Sequence, residues 1–212
     1  MRILFFMRST VYVRNFESTL QLLAERGHQV HIVAQPHEYL DHADILGRLC
    51  RTYPGITHAE PPERELGPWA RFGLQVRRGL DYLRYFNPEY RDAPRLRWRA
   101  GLKAPAVAER ALWKRCEASP AGRRLLARVL RWCDRGTPID PELVASVAAQ
   151  RPDLVLVTPL VEPGSPQAEY LRAARARGVR TGLCVYSWDN LTNKGFIHDP
   201  LDVMTVWNEP MK

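Results

Sequence analysis

Twice in this 212-residue chain a helical pattern closes on Arg-Gly and passes at once into an apolar strand, and no other feature constrains the fold as tightly. In the first copy, Arg2–Met7 is a continuous apolar run followed by the polar loop Arg8–Arg14. From Asn15, Phe16, Leu20, Leu22, Leu23 and Ala24 fall at helical spacing, Glu25-Arg26-Gly27 closes the helix, and His28–Ala34 reads as a second strand. A strand that is apolar throughout is buried on both faces. A glycine after the last helical turn supplies the left-handed cap. Connections this short favour a right-handed crossover between parallel strands. The second copy runs from the strand Asp153–Thr158 through the cap-and-first-turn pair Ser165-Pro166. Its helix passes Leu171 and Ala174 to Arg177-Gly178, and Val179–Val185 is the next strand. Two such copies predict an α/β chain with a doubly wound parallel sheet. The apolar run Asp202–Trp207 predicts one strand more.

Between the copies the pattern changes. Residues 66–135 carry no clear strand. Phe72, Val76, Leu80, Leu83 and Phe86 share one side of a helix over Trp69–Phe86, and Asn87–Pro105 is turn-rich. Two more helices are predicted over Ala106–Glu117 and Gly122–Arg135. In the second, Leu125, Leu126, Val129, Leu130 and Cys133 point one way and Arg123, Arg124, Arg128, Arg131 and Arg135 mostly another. Asp140-Pro-Glu142 caps a helix that returns to the sheet. The whole reads as one Rossmann-like domain, 1–212, with a basic helical insertion at about 61–138.

That insertion holds the charge. The chain carries +8 overall, and residues 61–138 have 18 Lys/Arg against 8 Asp/Glu, so the rest is slightly acidic. A local positive field attracts phosphate, whether of anionic lipid, nucleic acid or a pyrophosphate substrate. Trp69, Trp98, Trp113 and Trp132 stand among the arginines. That mixture suits a lipid surface, and equally a solvated arginine face over a helical core. Nucleic acid is the weaker option, since no binding motif for it is present.

With 45% hydrophobic residues the chain can bury a core. No apolar run reaches membrane-spanning length, and Met1–Met7 is too short for a signal peptide. The scattered Cys50, Cys116, Cys133 and Cys184 read as reduced, mostly buried thiols of a cytoplasmic protein. The histidines lack metal-ligand spacing, so no metal is expected.

In a parallel sheet, ligands sit where loops leave the carboxyl ends of strands. Three such loops carry chemistry. Arg8, Ser9, Tyr12, Arg14 and Asn15 open a helix after the first strand, where free N–H groups favour anions. The loop has neither a dinucleotide-binding nor a P-loop glycine pattern. Glu162 lies in the loop after Thr158 and is a candidate general base. Neighbouring Ser165 reads as a cap, because no nucleophile elbow surrounds it. Ser187–Gly195 is the densest signal. Trp188 offers a stacking face, Asp189 a base or a hydroxyl acceptor, Asn190, Thr192 and Asn193 neutral hydrogen bonds, and Lys194 a phosphate contact. The alternative for this segment is a helix-capping turn with Trp188 in the core. His198 reads as structural.

The opening strand, with Leu22-Leu-Ala-Glu-Arg-Gly-His-Gln-Val-His-Ile-Val33, resembles the first β-α-β unit of GT-B glycosyltransferases. Tyr186-Ser-Trp-Asp-Asn-Leu-Thr-Asn-Lys-Gly195 and Asp202–Asn208 resemble the end of their N-terminal domain in a bacterial surface-polysaccharide group. The UDP-N-acetylglucosamine 2-epimerases have a related two-domain fold. The resemblance covers roughly the first 35 and last 60 residues. It implies two facing Rossmann-like domains, of which this chain carries the acceptor-binding one and not the C-terminal nucleotide-sugar domain. It implies a nucleotide-sugar donor, a sugar or lipid-linked acceptor, and no metal or other cofactor. Many GT-B enzymes carry glycines or a histidine in the first loop. Arg8–Arg14 has neither, so by position Glu162 and Asp189 are the catalytic candidates. On this reading the protein works in the cytoplasm, with 61–138 against the inner face of the membrane. The alternatives are half of a nucleotide-sugar epimerase, or a non-enzymatic module recruited to membrane or partner by its basic helices.

Overall fold

A computed structural model of the chain describes residues 1–36, 43–61, 67–105, 113, 116, 119–162 and 165–211. Six strands form one sheet: β1 (Arg2–Met7), β2 (Gln29–Ala34), β3 (Ile56–Ala59), β4 (Leu154–Thr158), β5 (Arg180–Cys184) and β6 (Val203–Thr205). Their order is β3-β2-β1-β4-β5-β6, and every pairing is parallel. This is the doubly wound Rossmann-like α/β arrangement, whose strand order reverses between β1 and β4. The helices α1 (Val13–Glu25), α2 (Ala43–Thr52), α6 (Pro141–Ala149) and α7 (Gln167–Ala176) flank it.

The alternation of β1 divides the core. Ile3, Phe5 and Met7 join Val13, Phe16 and Leu20 of α1 and Leu46 and Leu49 of α2. Leu4 and Phe6 join Leu143 and Val147 of α6 and Leu171 of α7 on the other face. The junctions from α1 to β2 and from α7 to β5 each turn on a left-handed glycine, Gly27 at φ 77° and Gly178 at φ 68°, where a side chain would be strained.

The structure departs from the sequence expectation at several points. α1 starts at Val13, two residues before Asn15, because Ser9 Oγ accepts from Val11 N and caps a preceding 3-10 turn over Thr10–Tyr12. α2 and β3 form a second crossover unit in a stretch with no helix or strand signal strong enough to read. β6 is shorter than the apolar run around it. The turn-rich stretch holds a helix, α4 (Pro94–Gly101), begun by a proline at its first position. The helix expected over Ala106–Glu117 lies outside the described residues apart from Trp113 and Cys116.

α3 (Pro68–Arg84) and α5 (Pro120–Arg135) pack together over a cluster of Leu83, Phe86, Trp113 and Cys116, against which Leu126, Ala127 and Leu130 lie. Gly79 leaves room for Leu130, since a Cβ there would stand 3.4 Å from Leu130 Cδ1. The apolar face expected of α5 is therefore split. Leu126 and Leu130 face α3, whereas Leu125 (63% exposed) and Val129 (47%) face out beside Trp132 (77%). Phe72 is exposed too, while Val76, Leu80, Leu83 and Phe86 are buried.

Buried ion pairs tie this helical layer to the sheet. Arg77 of α3 donates to Asp134 of α5 at 3.2 Å and to Glu169 of α7 at 2.6 Å. Arg172 of α7 donates to Asp134 at 2.6 Å and to Asp199 at 3.0 Å. All five side chains are largely buried. Buried charges are sustainable only when paired and hydrogen-bonded in this way. Among the described residues no helix is long and apolar enough to cross a bilayer.

Candidate active site at the carboxyl edge of the sheet

The loops after β1 and β4 leave from either side of the switch point, where a crevice opens in sheets of this kind. Their bases are joined, since Arg8 N donates to Thr158 O at 3.1 Å. Buried Gln167 holds the same corner, accepting from Leu160 N at 2.8 Å and donating to Phe6 O at 3.1 Å. Across the gap, the guanidinium of Arg8 forms an ion pair with Glu162.

The loop after β5 closes the third side. Tyr12 meets Tyr186 edge to face at 4.7 Å. Burial, then Tyr186, pushes the Tyr12 phenol up, while Arg8 pulls it down. Farther along, Gly195 N donates to Val161 O, which sets Lys194 and Glu162 on adjacent strands of the loop wall. Trp188 is 71% exposed at this edge, so it is a free ring rather than a core residue. Ser187 Oγ donates to Asp189 Oδ1 at 2.6 Å. Asn190 begins a single helical turn, α8 (Asn190–Asn193), and is 1% exposed; its Oδ1 accepts from Ser187 N at 3.2 Å. Its Nδ2 is buried with no hydrogen bond.

The structure thus gathers Arg8, Tyr12, Glu162, Trp188, Asp189, Asn190 and Lys194 along one edge. Four expected residues play lesser parts. Ser9 is occupied in capping the 3-10 turn. Arg14 and Asn15 lie exposed in the first turn of α1. Asn190 serves its own loop rather than the open crevice. Ser165 Oγ accepts from Gln167 N at 3.3 Å, as a cap does.

Two groups at this edge were not legible in the sequence. One is a set of cations brought in by the helical layer. Lys103, just past α4, has its ammonium pushed below the ordinary lysine value by burial first, then by Arg8, Arg78, Lys194 and Arg99. Arg78 Nε is buried and has no hydrogen bond among the described residues. The other is a carboxylate–imidazole pair. Asp81 of α3, 3% exposed, has Oδ1 3.0 Å from His198 Nε2 and accepts there from Phe196 N at 2.8 Å. An imidazole oriented by a buried carboxylate has the form of a general base with its positioning group. Nothing in the sequence marks Asp81, which lies 117 residues from His198. Among the described residues no three His, Cys, Asp or Glu side chains converge as metal ligands.

No family model matches the chain, and no curated protein matches it in sequence. Among solved structures it is similar to the glycosyltransferase VinC in complex with dTDP, at a TM-score of 0.41 and 19% identity. That alignment covers 90% of this chain and 36% of VinC, so the chain spans about a third of that protein's length.

Proposed function

We propose that the crevice at the carboxyl edge is the acceptor side of a sugar-transfer site. The observation that carries the reading is the presence, in the loops that leave β4 and β5 at the carboxyl edge, of a carboxylate paired with Arg8 (Glu162), a hydroxyl-bonded carboxylate (Asp189 on Ser187) and the exposed Trp188 ring. A pyranose offers hydroxyls to carboxylates and an apolar C–H face to an indole, and this edge presents both kinds of group. In this reading Glu162 or Asp189 takes the proton of the acceptor hydroxyl as it attacks the anomeric carbon of a nucleotide-sugar. The cations around Lys103 offset charge on the departing diphosphate. The donor is held by a second domain facing the crevice, and the chain is the N-terminal, acceptor-side domain of a GT-B type enzyme. The acceptor is a sugar or a lipid-linked sugar, and the basic segment 61–138 rests on anionic lipid at the inner face of the membrane.

The test is nucleoside diphosphate release from a panel of nucleotide-sugars by the protein as its gene encodes it, with and without saccharide acceptors. Acceptor-dependent release that falls at least 100-fold in Glu162→Gln or Asp189→Asn supports the reading. Release that needs no acceptor, with the sugar epimerised, would move the protein to the nucleotide-sugar epimerases. No turnover with any donor, by a folded protein, would leave a non-enzymatic module.

A further inference from the structure

Beneath α5 lies a second cavity, a cleft of about 810 Å³ between that helix, the end of α3 and residues 196–200. Among the described residues, seven arginines line it against two aspartates, with no lysine. Both aspartates are already engaged, Asp134 by Arg77 and Arg172 and Asp199 by Arg172. Arg84 and Arg123 spend hydrogen bonds on backbone carbonyls, at Lys194 O and Cys116 O. The other four, Arg124, Arg128, Arg131 and Arg135, form an exposed row on α5 that pairs with no described residue. Four like charges along one helix face repel each other and cost stability. Planar guanidinium forks bind phosphate oxygens two at a time. Leu83, Ala127, Phe196 and Ile197 give the same cleft an apolar floor, so its complement is an anion carried on an apolar or ring-bearing body.

α5 itself indicates where that anion comes from. Leu126 and Leu130 are turned to α3, the arginine row is turned to the cleft, and Leu125, Val129 and Trp132 are turned to solvent. The exposed apolar stripe borders the arginine row. An amphipathic helix with arginines beside Trp and Leu is built to lie in a lipid interface.

We infer that the cleft is a phosphate-ester site, and that it takes the phosphate or diphosphate headgroup of a lipid on which α5 rests. This sharpens the membrane contact proposed above and stands whether or not the sheet edge transfers sugar, because its test reads binding and not turnover. Inorganic pyrophosphate and uridine diphosphate would be titrated calorimetrically into the full protein, alongside R124A/R128A/R131A and L125S/V129S/W132S variants with unchanged melting temperature. In parallel, sedimentation would follow binding to neutral phosphatidylcholine vesicles and to vesicles with one fifth phosphatidic acid.

The expected result has three parts. Pyrophosphate binding falls at least tenfold in the arginine variant and is unchanged in the apolar one. Phosphatidic acid vesicles bind the wild type and neither variant. Neutral vesicles bind none of the three. Equal pyrophosphate affinity in wild type and arginine variant would overturn the site, as would no binding of any phosphate compound. Tight pyrophosphate or uridine diphosphate binding without vesicle binding would keep the phosphate chemistry and overturn the lipid source.

Discussion

Asp81 stands so close to Gly195 that a methyl group on that glycine would lie 2.8 Å from Asp81 Oδ2 and 3.0 Å from the carbonyl oxygen of Val161. Backbone and a buried carboxylate occupy the space, and neither is the free end of a flexible chain. Gly195→Ala is therefore expected to lower stability by about 1–3 kcal/mol, the usual cost of overpacking. It should also loosen His198, whose partner Asp81 must move. Chemical denaturation gives the first effect, and the chemical shifts of the His198 ring protons at a single pH give the second. A variant as stable as wild type with an unshifted His198 would show that the contact yields freely.

Removing Arg77 leaves buried Glu169 without the cation it contacts at 2.6 Å and takes from Asp134 one of its two arginine partners, leaving Arg172. Loss of one partner of a buried pair costs about 3–5 kcal/mol, because the remaining charge is uncompensated. Arg77→Met is expected to lose that much by urea unfolding, and Arg77→Met with Glu169→Gln to recover part of it. If the double variant is less stable than the single one, the charge argument fails.

Trp188 is 71% exposed, so its ring contributes little burial. Trp188→Ala should leave stability within about 0.5 kcal/mol of wild type. It should weaken saccharide acceptor affinity about tenfold, or roughly 1.4 kcal/mol. Equal affinity in both proteins, measured by calorimetry, would remove the ring from the site.

Asp202 Oδ2 accepts from Thr181 N at 2.7 Å and from Thr181 Oγ1 at 3.1 Å. The backbone bond first, then the hydroxyl bond, holds its carboxyl below the usual range. A carboxyl lowered in the folded state stabilises it above the unfolded value of about 3.9 and loses that contribution as pH falls through the lowered value. Melting temperatures of wild type and Asp202→Asn should therefore differ at pH 7 and converge in acid. A gap that stays constant down to pH 2 would assign the stabilisation to something other than ionisation.

β1, β4 and β5 were legible because they are apolar on both faces, and Gly27 and Gly178 announce the crossovers through α1 and α7. α2 and β3 were missed, since Ile56–Ala59 is an edge strand with two exposed residues and little apolar signal. On α5 the periodicity was correct and the facing was not. A helix with apolar residues on two adjacent sides does not say which side its neighbour will take, and Gly79 of α3 decided for Leu130. The loop residues at the carboxyl edge could be placed because each follows a strand. Asp81, Arg78 and Lys103 could not, because they reach that edge only through the packing of α3 and α4 against it.

The Arg77 and Arg172 ion pairs clamp α3, α5 and α7 into one body, and the rim of the α5 cleft touches the crevice loop where Arg84 donates to Lys194 O. Displacing any one of the three helices would break at least one buried charge pair, so α5 is expected to travel with the sheet it overlies rather than swing away from it.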